Sequence, residues 1–161
     1  MSASRSTISP DDWNLALFLH ILGAMVVVGA VVLALIYFAA AWRGAAPESL
    51  RAGFRTLLYA GIPGYIVMRG GSEWIYSKEG LDNLPTDPDW IGIGYITADA
   101  GLLLLLIATI TTGIASRRAN AAEATSGAAP GTAGVRISAA LCALLLVGYV
   151  VAIWAMTAKP A

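Results

Sequence analysis

Residues 15–41 read LALFLHILGAMVVVGAVVLALIYFAAA, an unbroken apolar run in which His20 is the one acidic or basic side chain. A membrane-spanning helix needs about 20 consecutive, mostly apolar residues, so this stretch predicts a transmembrane helix. Two further runs share the pattern: residues 91–116, with Asp99 as their one charged residue, and residues 137–158, with none. The chain is therefore expected to be an all-α integral membrane protein.

The composition agrees with this fold class and limits the possible partners. The chain has 161 residues, of which 58% are hydrophobic and 12% charged, whereas soluble domains carry about 25% charged residues. A net charge of zero gives no reason to expect a nucleic-acid partner, and the lipid bilayer is the expected partner. The single cysteine, Cys142, cannot form a disulfide within the chain, and a single histidine is too few for a zinc-finger site.

Residues 54–76 are a weaker candidate for a fourth span. The sequence GIPG at 61–64 interrupts the apolar run, and Arg69 and Glu73 lie within it. Proline is tolerated in transmembrane helices because neighbouring helices can satisfy the freed carbonyl group. We therefore expect a bundle of four transmembrane helices forming one domain over residues 1–161, with the second helix kinked between Gly61 and Gly64. A surface-lying or re-entrant segment is the alternative for residues 54–76.

The distribution of basic residues predicts the orientation of this bundle. With four spans, the connections at 42–55 and 117–136 lie on one side of the membrane and hold six arginines, against three basic residues on the other side. The six are Arg43, Arg51, Arg55, Arg117, Arg118 and Arg136, and the three are Arg5, Lys78 and Lys159. The positive-inside rule then places both termini outside the cytoplasm. Residues 119–134, rich in Ala, Gly, Ser and Thr, predict a flexible cytoplasmic linker.

One polar side chain on each predicted helix comes to a similar depth in the membrane. Counted from the tryptophans at the predicted outer ends, with a rise of about 1.5 Å per residue, these side chains lie about 7–13 Å inward. They are His20, Arg69, Asp99 and Tyr149, and Glu73 lies one turn from Arg69 at a spacing that allows pairing. Lipid strongly disfavours charged side chains. The sequence thus predicts a buried polar cluster near the outer leaflet, a candidate ligand or proton site, with His20 pointing towards Asp99.

Two interpretations of this cluster stay open. Polar groups in membrane bundles often serve as interhelical hydrogen bonds, which would make the chain a non-enzymatic bundle, a homo-oligomer or an accessory subunit of a membrane complex. The alternative is a redox or metal protein in which His20 binds haem, or binds copper together with Met68 and Met156. No HExxH, GxSxG, Walker or CxxC pattern occurs, so neither catalytic residues nor a cofactor are predicted.

The stretch LHILGA at 19–24 resembles the L-H-x-L-G start of the first helix in a family of small bacterial integral membrane proteins of unknown function. The pairs PG at 63–64 and RR at 117–118 and the stretch DWIG at 89–92 are similar to that family's pattern, so the resemblance covers residues 13–118. The family in turn resembles the membrane part of the copper-resistance protein CopD. The resemblance implies a first-helix histidine at His20, a four-helix topology and a bacterial cytoplasmic membrane, and it implies no established activity.

Overall fold

The computed structural model describes residues 14–44, 47–80, 89–126 and 132–158, and the regular structure within them is entirely helical. The elements are α1 (Leu15–Trp42), α2 (Pro47–Thr56), a π-helical turn (Leu57–Gly61), α3 (Ile62–Lys78), α4 (Asp89–Ser126) and α5 (Thr132–Ala158). Helix α2, the π-helical turn and α3 follow one another without a break, so the described residues form four helical rods.

Three of these rods are long and apolar enough to cross a membrane. They are the segments Leu15–Trp42, Asp89–Ala121 and Ala133–Ala158. Large apolar side chains such as Met25, Ile110 and Val150 are exposed on their outer faces, which is unfavourable in water and is the surface expected of a protein in lipid. The predicted all-helical membrane protein is confirmed to this extent, and the fourth span stays a prediction.

Helices α1 and α3 approach each other at positions where only glycine fits. A Cβ atom added to Gly71 would lie 2.6 Å from the backbone nitrogen of His20, and one added to Gly23 would lie 2.3 Å from the backbone nitrogen of Met68. Real Cβ atoms essentially never come this close to backbone atoms. Small residues at membrane helix interfaces allow such close backbone approach, and here they fix α3 against the first half of α1.

The same pairing continues along the whole second rod. Gly64 lies against Val26, and Gly53 of α2 lies against the ring of Phe38. Later residues of the second rod therefore lie against earlier residues of α1, which means that the two rods run antiparallel. Their contact extends from the His20 end of α1 to Phe38, a residue that is fully buried.

Helices α4 and α5 pack through a small buried polar contact as well as through apolar side chains. The hydroxyl of Thr112 lies 2.8 Å from that of Ser138, and the hydroxyl of Thr111 lies 3.2 Å from it. Thr112 and Ser138 are fully buried. The two threonines also bond to carbonyl groups of their own helix, as hydroxyl side chains in helices commonly do.

One detail of the predicted architecture differs from the structure. Most of the stretch predicted as a linker, residues 119–134, is helical, because α4 continues to Ser126 and α5 begins at Thr132, while residues 127–131 lie outside the described part. Residues 119–126 include four alanines, and alanine has the highest helix propensity of all residues. In the second rod, the departure from α-helical bonding lies at Leu57–Gly61, and a kink between Gly61 and Gly64 stays a prediction. Trp13, the tryptophan at the predicted outer end of the first helix, also lies outside the described residues.

Candidate functional site

Helices α1, α3, α4 and α5 line a half-open cavity of about 350 Å³ at one end of the bundle. Its walls are mostly apolar. The polar side chains that line it include His20 of α1, Arg69 of α3 and Tyr149 of α5. Cavities of about 300–1,000 Å³ with apolar walls and a few polar groups are typical of small-molecule sites, so this cavity is the candidate functional site.

Three of the five predicted site residues thus line one cavity, and the other two lie beside it. Arg69 connects them: its Nη2 lies 3.1 Å from Oε1 of Glu73 and 3.5 Å from Oδ1 of Asp99. The guanidinium also stacks over the ring of Tyr95, 4.3 Å from the ring centroid. The predicted proximity of Arg69 and Asp99 is therefore present, in an ionic group that also contains Glu73.

This ionic group is not buried, contrary to the expectation from the sequence. The side chain of Asp99 is 68% exposed, that of Glu73 is 50% exposed and that of Arg69 is 27% exposed. The rotation of α4 explains the difference, because residues 91, 94, 95 and 98 turn towards the cavity and share one helix face. Asp99 follows that face by one residue and reaches Arg69 from the edge of the cavity.

Tyr95 is a member of the site that the sequence reasoning missed. Its hydroxyl donates a hydrogen bond of 3.2 Å to Oε2 of Glu73, and its ring packs edge-on against Tyr76. The signal was available, because Tyr95 precedes Asp99 by four residues just as Arg69 precedes Glu73. Two such pairs on neighbouring helices can meet along one line of contact.

His20 is held by a backbone group and not by Asp99. Its Nδ1 lies 2.9 Å from the carbonyl oxygen of Met68. A carbonyl oxygen only accepts hydrogen bonds, so Nδ1 carries the hydrogen and Nε2 keeps its lone pair in the neutral ring. The backbone contact between Gly71 and His20 brings the two helices close enough for this bond. His20 therefore offers Nε2 to any ligand as a hydrogen-bond acceptor or as a metal-binding nitrogen.

Tyr149 lines the cavity, but its hydroxyl group is buried away from it. The residue is 7% exposed, and its hydroxyl is fully buried without a hydrogen-bond partner among the described residues. The hydroxyl of Tyr65, in contrast, donates to the carbonyl oxygen of Ala98 at 3.2 Å. A buried polar group without a partner costs about 1–3 kcal/mol. The Tyr149 hydroxyl lies near Gly101 of α4 and is closed off even to a water molecule, so it does not face the cavity.

The two methionines proposed as copper ligands, Met68 and Met156, line the same cavity as His20. Within the described parts of the chain, no group of three His, Cys, Asp or Glu side chains is arranged to hold a metal ion. A soft ion would therefore be bound by thioether sulfurs and one imidazole nitrogen, a set that suits Cu(I) better than harder ions.

The geometry provides a cavity with mostly apolar walls, an imidazole nitrogen of His20 that can accept a hydrogen bond and an ionic group at the edge. These properties suit the binding of a small molecule. Compared with known proteins, the chain matches no protein-family model, no curated protein and no solved structure.

Proposed function

We propose that this chain is a multi-pass integral membrane protein that crosses the bilayer four times and binds a small amphiphilic molecule in the cavity among its helices. It acts as a non-enzymatic binding protein, alone or as a homo-oligomer or subunit of a membrane complex. The observation that carries this proposal is the cavity itself, to which four helices contribute and which His20, Arg69 and Tyr149 line. The bacterial cytoplasmic membrane, with both termini outside the cytoplasm, is the proposed setting.

The antiparallel contact of the second rod with α1 supports the fourth crossing. The contact extends along α1 from His20 to Phe38, which at 1.5 Å per residue is about 27 Å. The hydrocarbon core of a bilayer is about 30 Å thick. A rod that lies along α1 for nearly this whole distance passes through the same depth of membrane as α1, so we infer that Pro47–Lys78 crosses it.

The make-up of the cavity supports an amphiphilic ligand. Its mostly apolar walls, which include Val28 and Ile153, favour a hydrocarbon portion. His20 then provides a directed polar contact of the kind that fixes a ligand's orientation in such sites. A polar molecule without an apolar portion would leave most of the wall without a favourable contact.

Filling the cavity tests the proposal. Ala152 of α5 lines the cavity, whereas Ala143 of the same helix is exposed and lies away from it. Native mass spectrometry of protein purified in mild detergent should reveal a bound small molecule on the unmodified chain. Ala152→Phe should lose that molecule and Ala143→Phe should retain it. The proposal is wrong if the unmodified chain carries no bound molecule, or if folded Ala152→Phe protein carries the same molecule.

A second candidate function, a redox or metal protein, is favoured by the hydrogen bond of His20. Metal-binding histidines commonly donate their second ring N–H to a carbonyl or carboxylate group, and Nδ1 of His20 does so to Met68. Absorption near the Soret band and metal analysis of the purified protein test this function. A haem or copper signal that disappears in His20→Ala and persists in Met25→Ala, an exposed position on α1, would support it. Colourless, metal-free protein would refute it.

A further inference from the structure

We infer that the arginine-rich end of the bundle binds an anionic phospholipid, whose phosphate group lies beside the ring of Trp42 and is held by Arg136 of α5 and Arg43 at the end of α1. This lipid site is separate from the cavity, which is lined by Leu17 and His20 at the other end of α1. It does not depend on ligand binding in the cavity.

Charge is distributed unevenly between the two ends of the bundle. The segments 42–55 and 117–136 contain six arginines and two glutamates, a net charge of +4. At the cavity end, the described side chains include four carboxylates and two cations, namely Glu73, Glu79, Asp89 and Asp99 with Arg69 and Lys78. An anionic molecule is therefore attracted to the first end and disfavoured at the second.

Two of these arginines lie next to one tryptophan, where α1 and α5 meet. The guanidinium carbon of Arg136 is 5.2 Å from the centroid of the Trp42 ring, and this contact orients the guanidinium group through its face. The N–H groups at its edge stay available to a phosphate group. Arg43 directly follows Trp42, and Cα atoms of consecutive residues are about 3.8 Å apart. Its long, exposed side chain is therefore within reach of a phosphate group that Arg136 binds.

The protein itself does not neutralise these two arginines within the part of the chain that the structure describes. Arg51 at the same end donates a hydrogen bond of 2.8 Å to Asn120, and Arg69 at the other end forms ion pairs. The side chains of Arg43 and Arg136 form neither kind of contact with a described residue. Guanidinium groups pair strongly with phosphate oxygens, so an anionic head group supplies the counter-charge that both side chains lack.

The two arginines also lie at the depth of lipid head groups. Trp42 is the last residue of the candidate span Leu15–Trp42, and Arg136 lies near the start of the candidate span Ala133–Ala158. Tryptophan prefers this boundary of the membrane. Exposed apolar side chains, such as Ile36 on α1 and Leu144 on α5, follow towards the membrane interior. A phospholipid matches both the charge and this apolar surface, whereas an acidic protein in water would match the charge alone.

A comparison of two lipids tests the charge preference. Delipidated protein in mild detergent is titrated with dioleoyl-phosphatidylglycerol and dioleoyl-phosphatidylcholine, and native mass spectrometry measures the bound fraction. The two lipids share their acyl chains and phosphate group and differ in net charge. Phosphatidylglycerol should bind at least about 10-fold more tightly, as expected for two arginines beside an anionic head group. Glycerophosphoglycerol, the same head group without acyl chains, should not displace it.

Substitutions test the position of the site. Arg136→Gln and Arg43→Gln should each weaken phosphatidylglycerol binding by about 5-fold, the effect of one basic side chain near an anionic lipid. The double variant should bind both lipids equally. Arg55→Gln is the matched control, because Gly53 lies against Phe38 of α1 and a residue two positions later points about 200° away around the helix. It removes the same charge from the same end and should weaken binding by less than about 2-fold.

Four results would overturn the lipid site. Equal binding of the two lipids by the unmodified chain would do so without any variant, so the test stands even if a variant fails to fold. Equal losses in Arg136→Gln and Arg55→Gln would indicate a diffuse basic surface. Displacement of the lipid by glycerophosphoglycerol would assign the arginines to a soluble phosphate ester. Tighter binding of polyglutamate than of phosphatidylglycerol would assign this end of the bundle to an acidic protein.

Discussion

Gly71 shows how an apolar residue can determine the geometry of a polar site. It lies where α3 touches the backbone of His20, and the carbonyl group that His20 binds belongs to Met68, one turn earlier on α3. A side chain at Gly71 would separate the two helices at the point where this bond forms. The position of the imidazole at the cavity therefore depends on a residue that carries no functional group.

The first prediction compares Gly71→Ala with Gly70→Ala. A Cβ at Gly71 would lie 2.6 Å from the His20 nitrogen, whereas one at Gly70 would meet nothing within 4 Å. Gly71→Ala should lower the free energy of unfolding by about 1–3 kcal/mol, the usual cost of overpacking. Gly70→Ala should be neutral or slightly stabilising, because alanine favours the helix. Thermal unfolding in detergent measures both, and equal effects would show that α1 and α3 are not in such close contact.

The second prediction concerns the ionic group of Arg69, Glu73 and Asp99. Since Glu73 remains as a partner when Asp99 is changed, and the reverse, Asp99→Asn and Glu73→Gln should each cost about 1 kcal/mol or less, as exposed ion pairs do. Arg69→Gln removes the one cation between two carboxylates and should cost at least as much as both single changes together. Chemical unfolding of the three variants is the measurement. If Arg69→Gln lowers the free energy of unfolding by less than the two single carboxylate changes together, the arginine is not the group that stabilises both carboxylates.

At the residue scale, the sequence predicts how far along its helix a polar side chain lies better than the direction in which that side chain points around the helix axis. His20, Arg69 and Tyr149 were identified because polar side chains are rare in apolar runs, and all three line the cavity. The pairing of Arg69 with Glu73 and Asp99 was predictable from the sequence, but the partner of His20 was not. The exposure of Asp99 and the bond from His20 to a backbone carbonyl depend on helix rotation, which is determined by close contacts such as that of Gly71.

At the scale of elements, the π-helical turn joins α2 and α3 without interrupting the second rod. The N–H of Ile62 donates to the carbonyl oxygen of Leu57, five residues earlier, so the turn holds one residue more than an α-helical turn. Leu57 and Gly61 at its two ends are both buried. The additional residue therefore lets the segments on either side each direct their small and apolar residues towards α1. Isolated π-helical turns of this kind are frequent at functional sites.

The third prediction follows from this additional residue. Deletion of Tyr59, whose side chain points away from the core, should convert the π-helical turn into an α-helical one and lower the melting temperature by only a few degrees. Deletion of Val67, an exposed residue of regular α3, should rotate everything before it by about 100° relative to the rest of α3 and prevent folding. Size-exclusion profiles and thermal unfolding compare the two proteins. Equal loss of folded protein would show that the π-helical turn is required as such.

At the scale of the whole molecule, the hydrophobicity of the sequence identifies three of the four rods as membrane spans and does not identify the second rod as one. Segments 15–41, 91–116 and 137–158 lie within α1, α4 and α5 because a long, mostly apolar run in a membrane satisfies all its backbone hydrogen bonds within itself as a helix. The second rod carries Arg51, Arg55 and Arg69, which lower its hydrophobicity. Its regularity depends on long-range contacts, the glycines against α1 and the hydrogen bonds of Arg51 to Asn120 of α4. No local pattern in the sequence contains that information.

The fourth prediction concerns topology, and it follows from the proposed crossing by the second rod. Reporter fusions after Gly44 and after Gly80 should give opposite signals, cytoplasmic for the first and external for the second, because these residues lie in the turns that follow α1 and the second rod. A fusion at the C-terminus should report an external position, in agreement with the excess of arginines on the opposite side. If the second rod only lies on the membrane surface, the fusions after Gly44 and Gly80 will both report the cytoplasm. The C-terminal fusion will then report the cytoplasm too, because three crossings leave the two termini on opposite sides.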